Sequence, residues 1–147
     1  MSDPVKIRPA RRGDREAIAS LFKELGHPDA ADSNTVFWVI NHPEIDLFVA
    51  VDHLDRAIGF VSLSHRPQLR LRGRITTIDE LVVAEAWRGK GVGSKLAATA
   101  IERAKALSSR RVELVALGAG VRPSFFSRNG FVRSDTAVMF LAEFEKR

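Results

Sequence analysis

The feature that most constrains this chain is a glycine-rich turn between a strand-like segment and an amphipathic helix. Residues 78–83 are largely apolar and predict a strand, and residues 92–107 carry apolar side chains at helical spacing. Gly89 and Gly91 lie between them and Gly93 lies at the start of the predicted helix, and the three glycines alternate with larger residues. Glycine lets the backbone approach a ligand closely, and a helix N-terminus offers free N–H groups and a positive dipole end. The arrangement predicts a binding site for a pyrophosphate.

The spacing of the glycines excludes two commoner phosphate-binding turns. A P-loop requires Gly-x-x-x-x-Gly-Lys-Ser/Thr, which does not occur in this sequence. A dinucleotide fingerprint requires Gly-x-Gly-x-x-Gly, whereas this turn reads Gly-x-Gly-x-Gly. Taken alone, the glycines also fit a tight strand-to-helix connection with solvated charges. Positive charge at the turn comes from Arg88, Lys90 and Lys95.

Composition narrows the chemistry that is available to the chain. Its 147 residues are 45% hydrophobic and 28% charged, which predicts one globular domain over residues 1–147. Cysteine is absent, which excludes disulfides, thiolate catalysis and cysteine-based zinc sites. The four histidines are widely spaced, so we expect no metal site. No apolar run is long enough for a membrane span, and we predict a cytoplasmic protein with no membrane partner.

The net charge of +5 invites a comparison with nucleic-acid-binding proteins. The basic residues are scattered along the chain, however, and no segment interleaves them with aromatic residues. No DNA-reading motif is present either. A small anionic ligand explains the charge with fewer assumptions than a nucleic acid does.

Hydrophobic periodicity predicts an α/β domain in which strands and helices are interspersed. Strands are predicted at residues 5–8, 47–51, 57–64, 74–83, 112–117 and 137–144. Helices are predicted after the N-cap residue Asp14 and at residues 33–40, 92–107 and 123–128. The segment 112–117 is nearly all apolar, which is typical of a strand buried on both faces.

Arg88, Gly91 and Gly93 form the pattern Arg-x-x-Gly-x-Gly, five residues after Leu81-x-Val83. This segment resembles the acetyl-CoA motif of the GNAT superfamily of N-acetyltransferases. Residues 7–10 resemble the opening strand of that family, and residues 125–131 resemble its Phe-Tyr-x-x-x-Gly-Phe element. The resemblance implies a central mixed, largely antiparallel sheet of six to seven strands, flanked by about four helices. The nearest pattern is that of the aminoalkylphosphonate and aminoglycoside acetyltransferases.

The resemblance implies that acetyl-CoA donates an acetyl group to a primary amine, which attacks the thioester directly. The backbone of residues 89–94 would hold the CoA pyrophosphate, and the strand at residues 81–83 would pair with pantetheine. A main-chain N–H near Leu81 or Val82 would polarise the thioester carbonyl. The residues implied in cofactor binding are Leu81, Val82, Val83, Arg88, Gly89, Lys90, Gly91, Val92, Gly93, Ser94 and Phe126.

An amine acceptor is protonated at neutral pH, so the reaction needs a proton acceptor. Two adjacent carboxylates, Asp79 and Glu80, lie on the predicted strand just before the motif. Because side chains alternate across a strand, we expect at most one of them to face the acceptor cleft. We predict Glu80 as the base and Asp79 as the second choice. The alternatives are a solvated or salt-bridged carboxylate without a catalytic role, and a water that relays the proton.

One residue departs from the family pattern. The tyrosine that usually protonates the departing CoA thiolate would align with Phe126, which has no proton to donate. Hydroxyl groups are available nearby at Ser124 and Ser127. The alternative function is therefore a CoA-binding sensor or regulatory module whose catalysis is weak or lost.

The acceptor amine is not identified by the sequence. Arg66, Arg70, Arg72 and Arg74 precede the predicted catalytic strand. If they border the cleft, an anionic amine such as a phosphonate or carboxylate fits best; a solvated basic loop is the alternative. Many relatives form homodimers, which makes a homodimer a further expectation, although no interface is recognisable in the sequence.

Overall fold

The structure is a computed structural model in which residues 5–116 and 122–144 are described. Contacts divide the chain into two units, Met1–Val115 and Ala116–Arg147. The first unit contains β1 Lys6–Pro9, α1 Arg15–Glu24, α2 Ser33–Asn41, β2 Ile45–Val51, β3 Ala57–Gln68, β4 Gly73–Val83, α3 Val92–Ala106 and β5 Val112–Leu114. The second unit contains α4 Pro123–Arg128.

The strands form one sheet in the order β1-β2-β3-β4-β5. The first three pairs are antiparallel, and only β4 and β5 run parallel. This confirms the predicted α/β fold with a mixed, largely antiparallel sheet and four helices. The predicted count of six to seven strands is wrong, because the described residues contain five.

Helices cover both faces of the sheet. Phe60 of β3 packs against Phe22 of α1, with the ring centroids 5.2 Å apart. The neighbouring residue, Gly59, faces Leu96 of α3. Since adjacent residues of a strand point to opposite faces, α1 and α3 lie on opposite sides of β3.

The start of α1 is held by an ion pair between neighbouring elements. The guanidinium of Arg8 donates to both carboxylate oxygens of Asp14, at 2.8 and 2.9 Å. Asp14 also accepts a hydrogen bond from the main-chain N–H of Arg11 at 2.7 Å. Asp14 is the N-cap residue as predicted, but its carboxylate bonds to Arg8 and Arg11 and not to the first amides of the helix. This pairing ties α1 to β1.

The C-terminal part differs from the strand pattern of its sequence. The described residues 137–144 contain no strand, although one was predicted there. Val138, Phe140 and Phe144 are exposed, so their alternating apolar pattern is not matched by burial. β5 ends at Leu114 and is half-buried, whereas residues 112–117 were predicted to form a fully buried strand; residue 117 lies outside the described residues. A strand needs a hydrogen-bonding partner as well as an apolar pattern, and the pattern specifies no partner.

A small residue is required where α3 crosses the sheet. A Cβ atom added to Gly59 would lie 2.9 Å from the carbonyl oxygen of Val82 and 3.3 Å from Cδ1 of Leu96. We expect Gly59→Ala to lower the free energy of unfolding by about 1–3 kcal/mol, because the backbone of β4 or α3 must shift. Gly13→Ala is the control, since its Cβ would meet nothing within 4 Å. Equal stability of the two variants in urea would contradict the close approach.

Candidate active site

The turn between β4 and α3 has the backbone geometry that its glycines suggest. Gly89 and Gly91 have φ angles of 76° and 83°, in the left-handed region that other residues seldom adopt. A Cβ atom at either position would meet none of the described residues within 4 Å, so the space above the turn is open in that part of the structure. The first helical hydrogen bond runs from Lys95 N–H to Gly91 O. The main-chain N–H groups of residues 92–94 precede it and have no partner within the helix. These features fit the predicted cradle for a pyrophosphate.

The basic side chains near this turn point in different directions. Nε of Arg88 donates to the carbonyl oxygen of Val83 at 3.2 Å. Nζ of Lys90 lies 5.3 Å from the ring centroid of Trp87. Nζ of Lys95 donates to the carbonyl oxygen of Val5 at 3.3 Å and is thereby drawn toward β1. Arg88 and Lys90 are exposed beside the turn, where their charge favours an anion.

One edge of β4 is free over its second half in the part of the chain that the structure describes. β5 pairs with β4 only at Thr76, Thr77 and Ile78. From Glu80 to Val83, β4 pairs with β3 alone. The opposite edge of this stretch therefore offers main-chain donors and acceptors to an extended ligand.

The direction of the main chain distinguishes Leu81 from Val82. The N–H of Ala84 donates to the carbonyl oxygen of Ile58, which precedes Gly59 on β3. Because main-chain groups point alternately to the two edges of a strand, Val82 also faces β3, and Leu81 and Val83 face the free edge. The bond from Arg88 to Val83 O agrees with this direction. Of the two amides that the sequence left open, that of Leu81 points to the free edge.

An irregularity in β4 brings both candidate carboxylates to one face. Glu80 pairs with Ser62, but Ile78 pairs with Leu63, so Asp79 is an extra residue that forms a β-bulge. Asp79 and Glu80 consequently line the same cavity. The expectation that at most one of them could face the cleft is wrong, because it assumed an uninterrupted alternation of side chains.

The cavity beside these carboxylates has a volume of ≈ 180 Å³. It lies on the α1 face of the sheet, and its walls come from α1, α2, the loop between them and strands β2, β3 and β4. The two acidic groups and the hydroxyls of Ser62 and Thr35 supply the polar side chains of the lining. The apolar lining residues are Ile18, Phe22, Ala30, Ala31, Val36, Val39, Ile45, Leu47 and Phe60. The sequence does not distinguish these wall residues, because their apolar spacing is also that of an ordinary core.

Partial burial changes the acidity of both carboxylates, although both residues remain partly exposed to solvent. Partial burial raises the pKa of Glu80 above its usual 4.5, and the negative charge of Asp79 raises it further. A hydrogen bond from Oγ of Ser62 to Oε1 of Glu80, at 3.1 Å, and the charge of His27 act in the opposite direction. Partial burial also raises the pKa of Asp79, against a hydrogen bond from Ser64. A carboxylate with a raised pKa is a stronger base once it is ionised.

A buried polar cluster lies on the opposite face of the same strands. Nε2 of His65 is 2.8 Å from Asp46, and Nδ1 is 2.8 Å from the hydroxyl of Thr76. Arg103 of α3 donates to the same Asp46 oxygen at 2.8 Å. Burial by itself would raise the pKa of Asp46, but the bonds from Arg103 and His65 lower it. These contacts connect β2, β3, β4 and α3. No group of three or more metal-ligating side chains occurs in the described residues.

The four arginines of the basic segment do not contribute to the cavity wall in the described structure. β3 extends to Gln68 and β4 begins at Gly73, so only residues 69–72 connect them. Arg74 donates to the carbonyl oxygen of Leu107 at 3.4 Å and lies 3.9 Å from the carboxylate of Glu44. It is therefore directed to the C-terminal end of α3.

Phe126 lies in α4, which belongs to the second unit. Its ring contacts Phe125 and Phe131 edge-on, with centroid distances of 5.1 and 6.0 Å. The cradle and the cavity are built from the first unit. The role of Phe126 in cofactor binding stays a prediction.

Comparison with known proteins agrees with the glycine turn and the sheet. A model of the acetyltransferase (GNAT) family matches residues 15–131. The chain belongs to this family. It is accordingly an N-acetyltransferase, and GNAT enzymes generally use acetyl-CoA as the acetyl donor. A comparison with curated protein sequences gave no match. None of the helices in the described residues is long and apolar enough to cross a membrane.

Several solved structures share the fold of this GNAT chain. An acetyltransferase from Trypanosoma brucei is 20% identical, with a TM-score of 0.80 over 95% of this chain and 100% of the other. Glucosamine-6-phosphate N-acetyltransferase from Arabidopsis thaliana is 18% identical, with a TM-score of 0.81 over 97% and 100%. An aminoglycoside acetyltransferase from an uncultured soil metagenomic sample is 19% identical, with a TM-score of 0.79 over 96% and 97%. At these identities the likeness establishes the fold and no substrate.

Proposed function

We propose that this GNAT chain transfers an acetyl group from acetyl-CoA to a small primary amine, which attacks the thioester directly. One observation carries the proposal: the free edge of β4 runs from the cavity carboxylates to the left-handed glycine turn. A single strand–turn–helix unit thus joins an acceptor cavity to a cradle for an anion. The cytoplasmic location and the homodimer expected from the sequence are further proposals.

The first unit offers groups that could bind the pyrophosphate and the pantetheine of acetyl-CoA. The N–H groups of residues 92–94, which have no partner within the helix, and the left-handed backbone at Gly89 and Gly91 would hold the pyrophosphate. Arg88 and Lys90 would add positive charge beside it. The main-chain groups of Leu81 and Val83 would pair with the amides of pantetheine along the free edge. When bound, acetyl-CoA supplies the activated acyl group.

Glu80 is the residue we assign as the general base. Its carboxylate lies in the cavity wall and accepts a hydrogen bond from Ser62, which orients it. It would take a proton from the amine, directly or through a water, so that the nitrogen lone pair can attack. Asp79 lines the same cavity and would help to attract the cationic form of the amine.

The N–H of Leu81 is the group we assign to the thioester carbonyl. It points to the free edge of β4, one residue after Glu80. There it would donate a hydrogen bond to the carbonyl oxygen as negative charge develops on it. A fixed main-chain donor needs no reorganisation during the reaction, which makes this contribution independent of side-chain identity.

The departing thiolate lacks the tyrosine proton donor of the family pattern, because that tyrosine would align with Phe126; the hydroxyls of Ser124 and Ser127 are the nearby substitutes. A thiolate is a tolerable leaving group, so transfer should be slowed and not abolished. A CoA-binding sensor with lost catalysis is the alternative. Saturable acetyl transfer to any amine would exclude it.

The test is thermal unfolding with acetyl-CoA, free CoA and ATP, followed by transfer assays with primary amines. A ligand at about 100 times its dissociation constant adds about 2.7 kcal/mol, which corresponds to an upward shift of about 5–10 °C. We expect both CoA species to raise the melting temperature and ATP to leave it unchanged. A melting temperature that is insensitive to both CoA species would overturn the proposal.

The pH dependence of transfer should report the raised pKa of Glu80. The base acts only when ionised, so kcat/KM should rise with pH through an ionisation above 4.5, the usual value for glutamate. When amines of different pKa are compared, the apparent pKa that belongs to the enzyme should stay the same in the pH–rate profile. The apparent pKa that belongs to the amine should change with the amine. We expect Glu80→Gln to lose the ionisation that belongs to the enzyme. If that ionisation persists in the variant, another group is the base.

A further inference from the structure

The acceptor cavity has a composition that restricts the kind of amine it can take. Apart from the carboxylates and two hydroxyls, its lining is apolar. Phe22 and Phe60 provide aromatic surface from α1 and β3, and Val36 and Val39 close the cavity from α2. A polar, highly hydroxylated acceptor would leave its hydroxyl groups without partners against these walls, at a large cost in desolvation. The walls favour an apolar acceptor body.

Among the described residues, all the charged side chains that line the cavity are acidic. Asp79 and Glu80 line the cavity, whereas none of its lining residues is an arginine or lysine. The basic residues Arg15 and His27 lie outside this lining. Arg15 donates to the carbonyl oxygen of Ala31 at 3.4 Å, and the charge of His27 lowers the pKa of Glu80. A phosphonate or carboxylate in the cavity would be repelled by two carboxylates and would find no guanidinium partner there.

The volume of the cavity limits the part of the acceptor that it can enclose. Its volume is ≈ 180 Å³. An apolar protein cavity of about 150 Å³ is large enough to bind benzene. One aromatic ring or a branched alkyl chain therefore fits, with the amino group at the carboxylate end. The cavity is partly open to solvent, so an aminoglycoside, with several rings, would extend out of it.

We propose that the acceptor is a small primary amine with an apolar body of about one aromatic ring and no anionic group. This inference rests on the proposed function and specifies its substrate class. It departs from the anionic acceptor that the basic segment of the sequence suggested. The ammonium group would be attracted by Asp79 and Glu80, and the apolar body would be buried against α1 and α2.

The test compares amines that differ in body and charge, at saturating acetyl-CoA. The panel contains 2-phenylethylamine, 3-methylbutylamine, ethylamine, 2-aminoethylphosphonate and β-alanine. We expect kcat/KM for 2-phenylethylamine to exceed that for 2-aminoethylphosphonate by at least about 100-fold, because one buried methylene alone discriminates by about 10–200-fold. A preference for either anionic amine, or no acetylation of the two apolar amines, would overturn the inference.

A variant that fills the cavity tests whether the preference for apolar amines arises at this site. Val39→Phe adds a ring to the cavity wall, and Trp38→Phe is the control on the same helix, since Trp38 is exposed and lies outside the lining. We expect Val39→Phe to lower kcat/KM for 2-phenylethylamine more than tenfold while ethylamine is affected far less. Trp38→Phe should leave both values unchanged. Equal losses for both amines in Val39→Phe would overturn the location of the acceptor body.

These measurements distinguish a wrong substrate class from a wrong proposed function. The increase in melting temperature with acetyl-CoA, measured for the wild type and for both variants, depends on the cradle at Gly89 and Gly91 and not on the cavity. If this increase is present and the apolar amines are not acetylated, the substrate class is wrong and CoA binding stands. If the increase is absent, the proposed function fails and this inference fails with it.

Discussion

Acetyl transfer by the Glu80→Gln variant should be slower than that of the wild type by about 10²–10⁴-fold, the usual contribution of a general base. Glutamine keeps the shape of the side chain and can still accept the hydrogen bond from Ser62, but it cannot take a proton. The melting shift with acetyl-CoA should be unchanged, because the cradle lies elsewhere on the strand–turn–helix unit. Single-turnover rates with a saturating amine measure the effect. Asp79→Asn is the matched control and should cost less.

The same substitution should raise stability at neutral pH. Because partial burial raises the pKa of Glu80 in the folded chain, the ionised form is disfavoured by folding. Glu80 therefore lowers the free energy of unfolding as pH rises through its folded pKa, and this cost is absent below its usual 4.5. Glu80→Gln should unfold at a higher temperature than the wild type at pH 7, and at the same temperature near pH 3. An unchanged transfer rate would remove Glu80 from the mechanism, whatever the stability.

Gly91→Trp should abolish the increase in melting temperature that acetyl-CoA produces. The space above Gly91 is open in the structure, with nothing within 4 Å of an added Cβ, and an indole would fill the cradle that the pyrophosphate needs. We expect the dissociation constant for acetyl-CoA to rise by at least about 100-fold, since loss of a few charge-assisted hydrogen bonds costs more than 3 kcal/mol. Isothermal titration measures this directly.

Gly91→Ala separates backbone strain from the filling of the cradle. Gly91 has a φ angle of 83°, and any side chain at that conformation costs about 1–2 kcal/mol. Both variants should therefore lose similar stability without ligand, while only the tryptophan variant should lose binding. If Gly91→Trp binds acetyl-CoA as the wild type does, the glycine turn is not part of the cofactor site.

The structure bears out the parts of the sequence analysis that rest on local rules. α4 has the predicted bounds, and α3 ends one residue before the predicted position. Gly89 and Gly91 adopt the left-handed conformations that only glycine adopts readily, directly before a helix. Helix periodicity, proline stops and glycine turns act over a few neighbouring residues. They can therefore be predicted without knowledge of the rest of the chain.

The predictions that depend on strand pairing were wrong. The apolar pattern of residues 137–144 predicted a strand, but a strand exists only with a partner, and the described residues there have none. Asp79 and Glu80 were expected on opposite faces. The bulge that brings them together arises from the register between β3 and β4, whose paired residues Ser62 and Glu80 are 18 positions apart.

The sequence by itself indicated the family, the glycine turn before α3 and the two adjacent carboxylates of β4, because each depends on a short motif whose chemistry is local. The tertiary structure decided which amide faces the free edge of β4, which side of the sheet the carboxylates share, and what lines the cavity beside them. It also directed Arg74 toward the end of α3. These outcomes depend on contacts between residues that are far apart in sequence. Strand register and packing determine which of these residues become neighbours, and no local sequence pattern specifies that.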